Sequence, residues 1–222
     1  MDVTQQLIHT VAIYALPVLF AITLHEAAHG YVARHFGDMT AYAQGRISLN
    51  PLRHIDPIGT IVVPIVILVA TKLAAGSGYL FGWAKPVPVN YSALKNPKQN
   101  MMWVAAAGPA SNLAMAVGWA ILTKMADLLP TGDFSLTMKQ IGVAGIEVNV
   151  VLMLLNLLPI LPLDGGRIVA SLLPHRMAGQ YSRLEPWGFP ILLLLLFSGY
   201  LSVILGPMVR ASFEVFGSVF QL

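Results

Sequence analysis

The sequence predicts an all-α polytopic membrane protein with about four to six transmembrane helices. Of its 222 residues, 56% are apolar and only 10% are charged, whereas soluble domains carry about 25% charged residues. Long apolar runs recur along the chain, and no polar stretch between them could form a soluble domain of about 50 residues. A re-entrant or interfacial segment and short β-strands near the candidate site complete the predicted fold.

The composition also excludes several classes of protein. There are no cysteines, which excludes a disulfide framework, a thiol nucleophile and a Cys-ligated metal site. The net charge of +3 fits basic cytoplasmic loops better than nucleic-acid binding, so no nucleic-acid partner is expected. The first apolar run follows Met1-Asp2 without a basic segment, which favours a retained helix over a cleaved signal.

We expect residues 1–222 to form one membrane-embedded domain. A strand and re-entrant section is predicted at 38–100, and the spanning helices are predicted at 7–36, 101–125, 141–161 and 188–208. Pro17 is expected to kink the first of these helices, and Gly37 suits its C-cap.

The first helix carries the motif His25-Glu26-Ala27-Ala28-His29 at the end of its apolar run. Residues i and i+4 share one helix face, so His25 and His29 can present two imidazoles to one Zn²⁺. Glu26 projects about 100° away and could take a proton from a water on the metal without being a ligand. Ionisable groups that abut a bilayer-length apolar run are costly unless they are used. The motif therefore predicts a metal site with a general base beside it.

The section between the first two spans is polar and rich in turns. Tyr42 to Leu49 alternates weakly in polarity, as in a short strand. The apolar stretch within 58–74 is only about thirteen residues long, which suits a re-entrant or interfacial segment. Phe81 to Asn90 is predicted to be extended, because Pro86 and Pro88 exclude a helix and confine a strand to a sheet edge.

A third zinc ligand is expected, because a catalytic zinc usually takes three protein ligands and leaves one position for water. His35 lies near the helix end, and the other histidines are expected to be solvated in or beside loops: His9, His54 and His175. Asp164 directly follows the span at 141–161, and the two glycines after it allow a close approach to another element. An Asp near membrane depth is a functional candidate, although an interfacial helix cap explains it equally well.

The distribution of basic residues favours one side of the membrane for all three ligands. Basic residues flank the inner end of the first helix and the sections 85–98 and 167–183, which should be cytoplasmic. His25, His29 and Asp164 then lie at the same side only if 58–82 enters and leaves the bilayer on one side. A full span there would separate them by about 30 Å, and zinc–ligand bonds are only about 2 Å long.

Three motifs together resemble the site-2 protease family of intramembrane zinc metalloproteases: HEAAH at 25–29, GPASN at 108–112 and NLLPILPLDGG at 156–166. The resemblance covers residues 20 to about 185. It implies one Zn²⁺ per chain held by His25, His29 and Asp164, with Glu26 as the catalytic base. It also implies that Asn156 holds substrate near the metal and that an unwound substrate strand pairs with residues 83–90.

The candidate substrate-binding residues are Pro86, Val87, Pro88, Val89, Asn90, Asn112 and Asn156. For Asn112 a packing role between helices is an equally good explanation, because its neighbours Gly108, Ala110 and Ser111 are small enough for close helix approach.

The function expected from this resemblance is hydrolysis of a peptide bond within or near the transmembrane segment of a single-pass membrane protein. The expected setting is a bacterial or archaeal inner membrane, with the site near the cytoplasm, in a compact family form without PDZ or CBS domains. A metal-ion transporter is one alternative, but the spans at 101–125 and 188–208 are almost free of ionisable groups. A catalytically silent homologue that binds membrane proteins is the other, and the intact motif residues disfavour it. The sequence does not indicate an oligomeric state.

Overall fold

The computed structural model describes residues 3–63, 65–67 and 84–222. These residues form a bundle of helices, and none of them lies in a β-strand. In chain order the α-helices are α1 (Val3–His35), α2 (Thr40–Ala43), α3 (Pro97–Ala126), α4 (Asp133–Asn156), α5 (Asp164–Leu172), α6 (His175–Ser182), α7 (Glu185–Phe197) and α8 (Tyr200–Phe220). Short 3₁₀ turns occur at Pro51–Arg53 and Tyr91–Ala93, and a π-helix occurs at Pro57–Val62.

Four described helices are long and apolar enough to cross a membrane: Ile8–His35 within α1, together with α3, α4 and α8. A spanning helix needs about 20 predominantly apolar residues, and each of the four meets that length. The predicted all-α polytopic membrane fold is confirmed, and the chain is an integral membrane protein.

The core of the bundle is built from α1, α3 and α4, which pack closely through small side chains. Ala116 and Ala120 of α3 are fully buried against Ile146 and Val150 of α4. One polar bond also joins these helices: the Tyr14 hydroxyl of α1 donates to the Glu147 carboxylate of α4 at 2.7 Å. Glu147 lies in the middle third of a span, a position that the hydropathy pattern alone does not explain.

The first helix ends where the sequence predicts. Gly37 adopts φ +104°, a left-handed conformation that glycine enters without steric cost. The backbone N–H of Asp38 donates to the Ala33 carbonyl, and that of Gly37 donates to Arg34, which satisfies the last turn of the helix. This turn places Asp38 in the interior, where it is fully buried.

The short strands predicted near the site are wrong for the part of the chain that the structure describes. Residues 40–43, where the alternating stretch begins, form the single helical turn α2, and Gly45 then reverses the chain with φ +61°. Residues 84–90 are extended but have no neighbouring strand. A polarity pattern predicts which face of a strand would be buried, but a strand also requires a partner for its backbone groups. Here turns and side chains supply partners for some of those groups, and others have none among the described residues.

Two helix boundaries differ from the sequence prediction. The predicted span at 188–208 is divided into α7 and α8, because Gly199 at φ +78° interrupts the helix. The last spanning helix is therefore α8. The predicted span at 141–161 begins earlier, at Asp133, and ends at Asn156, ahead of Pro159 and Pro162. Most of the predicted re-entrant segment lies outside the described residues, as does Trp83.

Candidate active site

The two motif histidines face each other from successive turns of α1. The Nε2 atoms of His25 and His29 lie 3.1 Å apart, and both residues are buried. Side chains at i and i+4 of one helix meet in this way. The structure therefore brings the predicted pair together with both Nε2 atoms directed at one point.

Asp164, the first residue of α5, reaches the same point from a distant part of the chain. Its Oδ2 atom lies 3.2 Å from His25 Nε2 and 3.4 Å from His29 Nε2. This oxygen is buried and has no hydrogen-bond partner among the described residues. A buried carboxylate oxygen without a donor is costly. Its position indicates a site shaped for a cation.

The spacing of these three donor atoms fits a tetrahedral zinc site. Zinc bonds of about 2.0–2.1 Å place neighbouring ligands about 3.3 Å apart, and the observed separations are 3.1, 3.2 and 3.4 Å. Two imidazole nitrogens and one carboxylate oxygen form the usual donor set of a catalytic zinc with one open position. Within the described chain, these are the residues grouped closely enough to hold a metal.

The protonation of Asp164 also suits a metal ligand. Burial by itself would raise the pKa of this carboxyl, but hydrogen bonds and positive charge from His25 and His29, when these are protonated at Nε2 in the metal-free site, lower the pKa to about 2. The carboxylate is therefore ionised at neutral pH and presents a negative oxygen to the site.

Each imidazole is held in place through its other ring nitrogen. His29 Nδ1 donates to the Val104 carbonyl at 2.7 Å, and a carbonyl can only accept. His25 Nδ1 lies 2.6 Å from the Asn112 side-chain oxygen. Metal-binding histidines usually make such a bond, which fixes the ring and its tautomer. Asn112, expected among the substrate-binding residues, is fully buried and contacts His25.

Glycines allow the helices to approach at this site. A Cβ added to Gly108 of α3 would lie 2.5 Å from His29 Nε2 and 2.6 Å from His25 Nε2. Added at Gly165 or Gly166, it would overlap the backbone of residues 157–161. The sequence predicts close approach of neighbouring elements at these glycines, and the structure shows it.

Glu26 lies beside the three donor atoms and lines the same cavity. Its Oε2 accepts a hydrogen bond from the backbone N–H of Val87 at 2.7 Å. Glu26 is thus joined directly to residues 84–90, which we call the extended segment. Its Oε1 makes no hydrogen bond to the described part of the chain.

A cavity of about 340 Å³ opens onto this group of residues. Besides His25, Glu26, His29 and Asp164, it is lined by Pro86, Val87, Pro88, Val89, Met101, Val104, Ala105, Asn156, Pro162, Leu163 and Arg167. Five of the predicted substrate-binding residues therefore lie on the cavity wall, and Asn90 and Asn112 do not. The side chain of Asn90 instead caps the turn at Tyr91–Ala93.

The extended segment is held by polar side chains of the α1 end and the loop that follows. Asp38 accepts a hydrogen bond from the Asn90 N–H at 2.6 Å, and Arg46 donates to the Lys85 carbonyl at 2.9 Å. The His54 carbonyl accepts from the Lys85 N–H. His54, expected to be solvated, is 2% exposed. Sequence reasoning missed these anchors, because nothing in the local pattern shows what they contact.

The fold and this site define the class: a membrane protein with a candidate metal site of the kind that zinc proteases use. Comparison with known proteins agrees. The chain is 39% identical over 213 residues to a Bacillus subtilis protein named "Putative zinc metalloprotease YwhC", a match that covers 93% of this chain and 91% of that protein. The chain therefore belongs to the family of these zinc metalloproteases, the site-2 protease family.

More distant relatives carry the same kind of name. Rip2 of Mycolicibacterium smegmatis is 29% identical over 182 residues, and Rip2 of Mycobacterium tuberculosis is 28% identical over 171 residues. The matches cover 80% and 76% of this chain but only 64% and 59% of those proteins. No family model and no solved structure matches the chain.

Proposed function

We propose that the protein is an intramembrane zinc metalloprotease that cuts a single-pass membrane protein within or near its transmembrane segment. The convergence of His25, His29 and Asp164 beside Glu26, inside a bundle of spanning helices, carries this proposal. One Zn²⁺ per chain would be held by those three ligands. A zinc ion there supplies a Lewis acid that polarises a carbonyl and acidifies water.

Glu26 is the residue in position to move protons during hydrolysis. It lies on the cavity wall next to both imidazoles, and its Oε1 is not engaged by other described residues. As general base it takes a proton from the attacking water at Oε1. As general acid it returns the proton to the amine that leaves when the peptide bond breaks. The bond from Val87 holds the other carboxylate oxygen in place meanwhile.

The extended segment offers a place for an unwound substrate to bind. Alternate residues of an extended chain share one edge, so Val87 and Val89 present their backbone groups together. The Val89 N–H and the carbonyls of both residues have no hydrogen-bond partner among the described residues. An extended peptide could pair with these groups by strand addition. Asn156, on the opposite part of the cavity wall, could then hold the substrate backbone near the metal.

We place the site near the cytoplasmic side of a bacterial or archaeal cell membrane. Arg34, Arg46 and Arg53 surround the end of α1 that carries the motif, and basic residues near a span favour the cytoplasm. The lipid bilayer and the membrane-protein substrate are the partners that this placement implies.

The test is cleavage of a reconstituted single-pass substrate by the purified protein in liposomes. Glu26→Gln should retain zinc but lose cleavage by at least about 10²-fold, because the amide cannot accept the proton. Glu214→Gln changes an exposed glutamate of α8 and should cleave normally. Near-normal cleavage by Glu26→Gln would contradict the proposed role. Zinc accumulation inside the liposomes without cleavage would identify a transporter instead.

A further inference from the structure

Two buried asparagines connect the first metal ligand to the interior of the bundle. Asn112 of α3 and Asn149 of α4 are both fully buried. The Asn112 amide nitrogen donates to the Asn149 side-chain oxygen at 3.0 Å, and the Asn112 oxygen lies 2.6 Å from His25 Nδ1. Side-chain amides without hydrogen-bond partners in a membrane interior are costly, and both of these amides are hydrogen-bonded. None of the assignments above gives Asn149 a role.

Two backbone carbonyls set the direction of the bonds in this chain: that of Gly145 at Asn149, and that of Ala21, which accepts from the Asn112 amide nitrogen over a longer 3.4 Å. The Gly145 carbonyl can only accept, so the Asn149 group that lies 2.8 Å from it must be the amide nitrogen. The Asn149 oxygen then faces Asn112 and requires a donor there. The amide nitrogen of Asn112 supplies that donor, which leaves its oxygen facing His25.

This sequence of bonds determines the tautomer of His25. Because the Asn112 oxygen is an acceptor, His25 Nδ1 must carry the proton, and Nε2 keeps its lone pair. Nε2 is the atom that faces His29 and Asp164. His29 reaches the same state in one step, through the Val104 carbonyl. The two histidines are therefore oriented in different ways. A backbone carbonyl orients His29 directly, whereas the side chain of Asn112, bonded in turn to Asn149, orients His25.

We propose that Asn149 is a positioning residue for the metal site: through the shorter of the two bonds from the Asn112 amide nitrogen, 3.0 Å against 3.4 Å to the Ala21 carbonyl, it holds the amide direction of Asn112 and so keeps the lone pair of His25 Nε2 directed at the metal. This inference rests on the metal site of the proposed function, but it does not depend on proteolysis. Its readouts are zinc affinity and the His25 tautomer, so it can fail while the proposed function stands, and the reverse also holds.

Two variants of similar size separate polarity from packing. Asn149→Leu removes the acceptor for Asn112, whereas Asn149→Asp keeps an oxygen acceptor in either protonation state. We expect Asn149→Leu to lower zinc affinity by about tenfold, the lower end for outer-shell partners of metal ligands. Asn149→Asp should bind zinc within about threefold of the unchanged protein, below the tenfold at which outer-shell losses typically begin. Affinity is measured by competition with a chelator on the full chain in detergent.

Thr123→Val is the matched control for the loss of a buried polar group in a span. Thr123 is buried in α3 and bonds only to the Trp119 carbonyl of its own helix among the described residues. Its replacement should leave zinc affinity unchanged. An equal loss of affinity in Thr123→Val and Asn149→Leu would overturn the proposal, because general destabilisation would explain both.

The tautomer gives a second and independent test, whose deciding measurement is made on the unchanged protein. In the metal-free unchanged protein labelled with ¹⁵N-histidine, the side-chain signal that disappears in His25→Gln should show the proton on Nδ1. In Asn149→Leu that signal should shift toward the other tautomer, and in Asn149→Asp it should not. A proton on Nε2 in the unchanged protein would overturn the proposal, as would equal zinc affinity in Asn149→Leu and the unchanged protein.

Discussion

Gly108 determines how closely α3 approaches the two histidine ligands. The Nε2 atoms of both histidines occupy the place where a side chain at this position would begin. An alanine there must displace at least one ring, since real Cβ contacts do not come within 3 Å. We expect Gly108→Ala to lower zinc affinity by about tenfold or more, measured by chelator competition.

Gly118 offers a matched control in the same helix. A Cβ at Gly118 meets nothing within 4 Å among the described residues. Gly118→Ala should bind zinc as the unchanged protein does, because it changes helix propensity in the same way but touches no ligand. If both variants kept full affinity, the histidines would not lie against Gly108 as described.

Among the structural elements, the extended segment is held in place partly by the carboxylate of Asp38, which does not belong to the candidate metal site. Asp38 accepts from the Thr40 N–H through one oxygen and from the Asn90 N–H through the other. In Asp38→Asn one of these acceptors becomes a donor, so one backbone N–H is left without its partner. The cost should be about 1–3 kcal/mol. Amide hydrogen exchange should show faster opening of residues 87–90, with zinc retained and substrate cleavage reduced.

Asp56→Asn is the corresponding control, since Asp56 also accepts two backbone N–H bonds. Its donors are Ile58 and Gly59, at the start of the π-helix and away from the extended segment. Exchange at residues 87–90 should be unaffected in that variant. Protection of the Asn90 amide that survives Asp38→Asn would show that Asp38 does not hold the segment.

Val89→Pro tests whether the edge of the extended segment binds substrate. The Val89 N–H has no partner among the described residues, so a proline there removes no hydrogen bond to any of them. We expect normal folding and zinc content but at least about tenfold slower cleavage of a transmembrane substrate, because one pairing bond of about 1 kcal/mol and its register are lost. Val89→Ala keeps the N–H and should cleave faster than Val89→Pro. Equal rates would argue against strand addition.

At the scale of the whole molecule, the metal site joins parts of the chain that are far apart in sequence. Two candidate ligands come from α1 and the third from α5. A ligand that binds only the folded state stabilises it by about 2.7 kcal/mol at one hundred times its Kd. We expect zinc removal to lower the thermal unfolding temperature in detergent, and zinc addition to restore it. Asp164→Ala should show a much smaller shift, and a full shift would mean that Asp164 is not a ligand.

Much of this arrangement could be predicted from local sequence. The i, i+4 spacing places His25 and His29 on one helix face, and the apolar runs define most of the spans. Asp164 required a topological argument, because its partners lie more than 130 residues away in the chain. The roles of Asn149 and His54 could not be predicted, because only tertiary contacts show them. Asn149 bonds to Asn112, which contacts His25, and the His54 carbonyl accepts from the Lys85 N–H. The helix break at Gly199 could not be predicted from the hydropathy pattern, because apolar residues continue on both sides of it.

The hydrogen bond between the Val87 N–H and Glu26 suggests a way to inhibit the protein. Through this hydrogen bond, the extended segment that would bind the substrate also positions the carboxylate that would act as the base. A compound that binds the Val87 N–H would therefore remove a hydrogen bond from Glu26 without contacting the metal.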